Sequence, residues 1–200
     1  MSVSTTPASP AARVRRLAIG MARWVRDRRE GGATDRGERA ELRRLDAAVL
    51  PPVVYWRLVE RFELEAHEDR FWLDLLPMMV DHPHGDLTPG RGLAASSVSG
   101  ARVERWLRLD AQRARREVRR LFARCDRPFD WAQLAALLFL WSDQERRRFA
   151  RDFFLAPEQR EARAGDANRC QEVFRFLCVP LVLLLHVTGL GWSVGRSEGW

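Results

Sequence analysis

Nine arginines lie between Arg102 and Arg124 against three acids, Glu104, Asp110 and Glu117, so this stretch carries six of the chain's formal +7 charges. Guanidinium groups stay charged and meet phosphate or carboxylate as planar forks, so the chemistry on offer is anion binding. At 100° per residue, Val103, Leu107, Ala111, Ala114, Val118, Leu121 and Cys125 fall on one narrow arc, with Trp106 and Phe122 at its margins. Arg105, Arg108, Arg115, Arg116, Arg119 and Arg120 occupy the opposite side, and Arg102, Arg113 and Arg124 run along one shoulder. The spacing predicts one amphipathic helix over residues 99–125. An inert surface helix mixes signs and gains i,i+4 pairs, whereas this one accumulates like charge. One helical turn advances about 5.4 Å, so arginines at i and i+4 would form a ladder near the phosphate repeat of an extended single strand.

Other constellations are weaker. His82 and His84 with Asp81 and Asp86 have metal-ligand residue types, but they alternate along a turn and no distant third ligand accompanies them. The chain has no nucleophile elbow, no Walker loop and no acidic cluster of the kind that two-metal nucleases use. Asp126, Asp130, Asp143 and Asp152 stand beside arginines or at helix starts, where pairing and capping account for them. Trp106, Trp131 and Trp141 have core spacing, which favours packing over base stacking. Thr88-Pro89-Gly90-Arg91-Gly92 suits a backbone approach to phosphate and an ordinary turn alike. The expectation is a protein without catalysis, cofactor, metal or small-molecule substrate.

The elements that must position these arginines are helical. Strand patterns are scarce while three-and-four periodicity recurs, and 46% hydrophobic content in 200 residues, with eight Trp and ten Phe, suffices for one core. The fold class is therefore all-α: a compact multi-helix bundle with a basic face, followed by a C-terminal apolar helical extension. The basic balance points to nucleic acid or an anionic membrane surface. All 34 basic residues are arginine, which fits the codon usage of a GC-rich genome. Cys125, Cys170 and Cys178 have no CxxC spacing and suit buried thiols in a reducing cytoplasm.

Residues 1–11 form a lead of low-complexity composition, expected to be disordered; 12–157 form the helical domain and 158–200 the extension. A first helix, 11–29, stops at Gly31-Gly32. A second begins at Gly37, turns Ala40, Leu42, Leu45 and Val49 inward, and breaks at Pro51-Pro52. Helices at 53–65 and 68–79 carry Tyr55, Trp56, Phe62, Phe71 and Trp72 as core, and a turn-rich loop spans 81–92. Ser99 caps the arginine helix and Pro128 closes it. Asp130 and Ser142 cap the two helices that follow, the second ending at Pro157. The run from Phe176 to Val194 holds no formal charge, but Pro180, His186, Gly189 and Gly191 weaken a membrane span and favour a covered helix.

The ordered series TPGRGLA (88–94), RVERWLRLD (102–110), VRRLF (118–122), FDWAQLAALLFLW (129–141) and RRRFARDFFL (146–155) resembles the CasB family, small subunits of type I-E CRISPR Cascade complexes. AELRRLD and MARWVRDRREGG are similar to the family's N-terminal half. The resemblance implies an all-helical, non-catalytic protein that pairs with a second copy of itself beside backbone and large subunits. There it would help to hold the target-paired crRNA and the displaced DNA strand. Carried over by position, the contacts would be Arg43 and Arg44, Arg91, Arg102, Arg105 and Arg108, Arg119 and Arg120, and Arg146 and Arg147; the helix face adds Arg115 and Arg116. Gly92 departs from the small helix former expected there and would loosen the loop. Two rival readings are a free-standing basic helical nucleic-acid-binding protein and a peripheral membrane protein anchored by its tail.

Overall fold

Ten residues without a charge, WAQLAALLFL, form a helix that packs against five others. In the computed structural model the described residues are 9–29, 33–96 and 98–157. They comprise α1 (Pro10–Arg29), α2 (Ala33–Arg43), α3 (Val53–Phe62), α4 (Asp69–Asp81), β1 (His84–Leu87), α5 (Pro89–Ala94), α6 (Gly100–Leu107), α7 (Ala111–Phe122), α8 (Trp131–Leu140) and α9 (Asp143–Phe154). The chain divides into one unit over Met1–Gln159 and another over Arg160–Trp200, and every described residue belongs to the first. Residues 1–8 of the N-terminal lead, the Gly31-Gly32 stop, Cys170, Cys178 and the apolar run 176–194 lie outside the described residues, whereas Pro10 and Ala11, expected within the disordered lead, begin α1. Among the described residues, no helix is long and apolar enough to cross a membrane.

The all-α class holds. Helix α8 lies against α1 over most of its length and also touches α4, α5, α7 and α9. Seven of its ten residues are buried, which explains why no polar stripe is readable in its sequence. Asp130 caps it, accepting from Ala132 N–H at 2.8 Å, and Ser142 caps α9 by accepting from Glu145 N–H at 3.3 Å. Ser99 stands at the N-cap of α6 but makes no side-chain cap bond.

Glu68, 3% exposed, anchors α1 to the α3–α4 connection. It accepts from Arg13 Nε at 3.2 Å, from Arg13 Nη2 at 3.1 Å and from Glu65 N–H at 3.1 Å. Burial alone would raise its carboxyl; Arg13 and the Glu65 amide outweigh that and hold it below the ordinary range.

Several boundaries differ from expectation. Helix α2 ends at Arg43, where Asp46 Oδ1 accepts from Ala48 N–H at 2.9 Å and turns the chain well before Pro51. Val49, read as inward-facing, is consequently 65% exposed. Trp56, read as core, is 46% exposed and donates to Pro51 O at 3.2 Å. The expected loop over 81–92 holds both β1 and α5. Strand β1 bridges to Phe129, and Leu87 O accepts from Asp130 N–H at 2.8 Å. His84 Nδ1 accepts from Trp131 N–H at 3.3 Å, while Trp131 Nε1 donates to His82 O at 3.0 Å. Both histidine residues thus tie down the start of α8. Among the described residues no group of three or more His, Cys, Asp or Glu is placed to hold a metal ion.

Gly90 and Gly92 are helical and buried, not part of a loosened turn. A Cβ at Gly90 would stand 2.8 Å from Phe149 O and 2.9 Å from Phe153 N, so glycine here lets α5 press onto the backbone of α9. The face that a phosphate would need is occupied by protein.

Candidate nucleic-acid interface

The single helix expected over 99–125 is two helices. A continuous helix would send Leu107 O to the amide of residue 111 and Leu109 O to that of residue 113. Instead Leu107 O accepts from Arg146 Nη1 at 3.0 Å and Leu109 O from Trp141 Nε1 at 2.9 Å. The Arg113 amide goes to Asp110 Oδ1 at 2.9 Å, which makes Asp110 the N-cap of α7. Helix α6 therefore stops at Leu107, and α7 starts afresh and folds back beside it. Two bonds hold the hairpin closed. Trp106 Nε1 donates to Ala114 O at 2.9 Å, and Arg102 Nη2 donates to Arg120 O at 2.7 Å. Pro128 plays no part in ending α7, which closes at Phe122.

The apolar arc survives the break, because each helix buries its own part: Val103 and Trp106 from α6; Ala114, Val118, Leu121 and Phe122 from α7. Trp106 and Phe122, expected at the margins, are 3% and 0% exposed. Cys125 is a buried free thiol, and burial pushes its pKa up.

Folding back turns a ladder into grooves. The hairpin encloses a groove of about 420 Å³ with Arg102, Arg105, Arg113 and Arg116 around it. Its remaining lining is Trp106, Leu109, Leu121 and Glu117. On the other side of α7 a second groove of about 370 Å³ runs toward the end of α2, with Arg43, Arg44, Arg115, Arg116 and Arg119 along it. Asp46 and Asp74 also line it, and burial pushes the Asp74 carboxyl up against the opposing pull of Arg70, Arg115 and Arg116. Arg116 borders both grooves. Arg113, which helical spacing alone puts on a shoulder, belongs to the first. The signal that would have found it is Asp110, a capping residue type three positions before it.

The expected contact residues separate by what already engages them. Arg44, Arg105 and Arg116 make no guanidinium hydrogen bond or ion pair among the described residues, so their charge is available. Arg43 and Arg119 are partly engaged: Arg43 Nε donates to Asp81 Oδ1 at 2.9 Å, and Arg119 Nη2 donates to Arg43 O at 3.4 Å. Arg120 pairs with Glu117 at 3.0 Å, and Arg108 pairs with Glu104. Arg115 lies 5.7 Å from the Phe71 ring centroid with its Nε buried and unpartnered. Arg146 is a strut within the fold, bound to Leu107 O and Asp143 and lying over Trp141. Arg91 on α5 and Arg147 on α9 are exposed and line neither groove.

Over residues 38–154 the chain matches the family model of CRISPR-associated protein Cse2. Its structure is similar to a chain of E. coli Cascade bound to a PAM-containing dsDNA target, with a TM-score of 0.54 at 24% identity. That likeness, which speaks for the fold, covers 69% of this chain and 96% of the other. No curated protein matches the chain. The family match spans the elements that build both grooves, from within α2 to the end of α9, and on it the chain belongs to the Cse2 family, the CasB family that its motifs resemble.

Proposed function

We propose that this chain is the small subunit of a type I-E Cascade surveillance complex and works in the cytoplasm without catalysis. Its task is to hold nucleic-acid backbone, the target-paired crRNA and the displaced DNA strand, so that the R-loop persists. The observation that carries this is the pair of arginine grooves on either side of α7, joined by Arg116. Exchange of a DNA duplex for an RNA–DNA heteroduplex is nearly balanced in free energy, so modest contacts to the displaced strand decide its outcome. Such contacts need charge in register with phosphates; they need neither base readout nor a reactive group. The likeness to a chain of E. coli Cascade bound to a dsDNA target supports partners of that kind, other Cascade subunits and target DNA; a crRNA and a second copy of this chain complete the proposed assembly.

The test is reconstitution with the remaining subunits and a crRNA. An Arg44→Gln, Arg105→Gln, Arg116→Gln variant is expected to enter the complex and to leave crRNA loading intact, while R-loops on linear DNA decay faster than with the unsubstituted chain. R-loop lifetimes equal to those of the unsubstituted complex would refute the backbone-holding role. Purified protein with Mg²⁺ or Mn²⁺ should leave single-stranded and duplex DNA intact; cleavage abolished by a carboxylate substitution would refute the absence of catalysis.

A further inference from the structure

The two grooves are not alike, and the difference gives the first a second task. A surface that only cradles phosphates has no use for a hydrophobic floor. The groove between α6 and α7 has one, in which half-buried Leu109 is backed by the buried Trp106 and Leu121, beneath four arginines. Its volume of about 420 Å³ lies within the range of about 300–1,000 Å³ typical of small-molecule sites. A ligand that satisfies both parts carries negative charge outside and a flat, weakly hydrated body inside. One nucleotide of a single strand has that form, with its base turned into the groove and the flanking phosphates on the arginines. Glu117 lines the same groove and gives one oxygen to Arg120 Nη1 at 3.0 Å. Its carboxylate can accept from an exocyclic amine, as carboxylates do from cytosine N4. The second groove has apolar lining too, Leu45, Ala47, Leu73 and Pro77, but no aromatic side chain, and two carboxylates, Asp46 and Asp74, stand among it.

We infer that the α6–α7 groove takes one unstacked nucleobase of the bound single strand, an amine-bearing base in preference to thymine, so that the hairpin fixes the strand's register as well as attracting its charge. This rests on the backbone-holding reading above, and the experiment separates the two. Full-length protein is titrated with a dC 12-mer and with a 12-mer of abasic residues, which has the same phosphates and no bases. The abasic strand, with nothing to place in the groove, should bind roughly tenfold more weakly with an unchanged salt slope. Folded Leu109→Gln protein, with its groove floor made polar, should bring the two strands within about twofold of each other. Leu109→Ser, a smaller polar change at the same half-buried position, should do the same if Leu109→Gln fails to fold. Glu117→Gln should remove the preference for dC over dT. Equal affinity for the dC and abasic strands would overturn the base site while leaving phosphate binding intact. A difference that persists in both groove variants would place the base elsewhere and overturn it too. Failure of every strand to bind would sink the backbone-holding reading itself.

Discussion

Helices α7 and α8 are of similar length and stand side by side in the fold, yet opposite forces hold them. Seven of ten residues of α8 are buried and none is charged, so it is fixed from all sides by apolar burial. Four of twelve residues of α7 are buried; the rest of its position is set by a cap at Asp110 and by polar ties to α6, among them Trp106 to Ala114 O. A helix held on one face leaves the other free to carry charge that the fold does not need. Stability and surplus positive charge therefore occupy neighbouring helices, and stability and the proposed anion binding should respond to different substitutions.

The largest separation should come from placing the wrong chemistry in each. Leu138 is 0% exposed on α8, so Leu138→Arg buries an unpaired guanidinium and is expected to abolish the folded state, read as lost helical circular dichroism. Leu138→Ala should cost about 3 kcal/mol in urea unfolding. Comparable stability losses from Gln at Arg105 or Arg116 would break the contrast.

Next in size, the triple change at Arg44, Arg105 and Arg116 should leave the urea midpoint nearly unmoved. It should flatten the slope of log K against log salt by about 2, at roughly 0.7 per lost contact to a single strand. At 0.1 M salt this amounts to roughly a hundredfold weaker binding. These three are the informative positions because Arg108, Arg115 and Arg119 are already engaged by Glu104, Phe71 and the Arg43–Asp81 pair.

Glu68→Gln tests a charge that does belong to the fold. Loss of the carboxylate leaves Arg13 without its near-buried partner and should cost about 2 kcal/mol. The folded-state pKa lies below the ordinary 4.5, so this stabilisation is complete above the unfolded-chain pKa and fades as pH falls through the folded value. Acid titration of the variant, followed by circular dichroism, should show a shallower decline over that window. Smallest of all, Trp106→Phe removes one indole donor from the hairpin and should cost about 1 kcal/mol. Nucleic-acid affinity should fall with it, since the donor holds α6 against α7.

Much of the site was legible in residue types. Seven of the twelve expected arginines, Arg43, Arg44, Arg102, Arg105, Arg115, Arg116 and Arg119, line a groove; Arg146 does not, and its engagement by Leu107 O, 39 residues away, could not be read locally. Such a partner has no local signature. The same holds for Trp56 and Val49: their apolar character argued for burial, and the early turn at Asp46 left them outside.

By itself, the sequence determined that the protein is helical and that the excess charge would concentrate between residues 102 and 124. Periodicity and charge are local properties, written at spacings of three and four. Only the tertiary structure decided that this charge faces two grooves instead of one ladder. The break at residues 108–110 requires Trp141 and Arg146 to capture carbonyls that a lone helix would have kept, and those donors arrive from α8 and α9 through packing of the whole core.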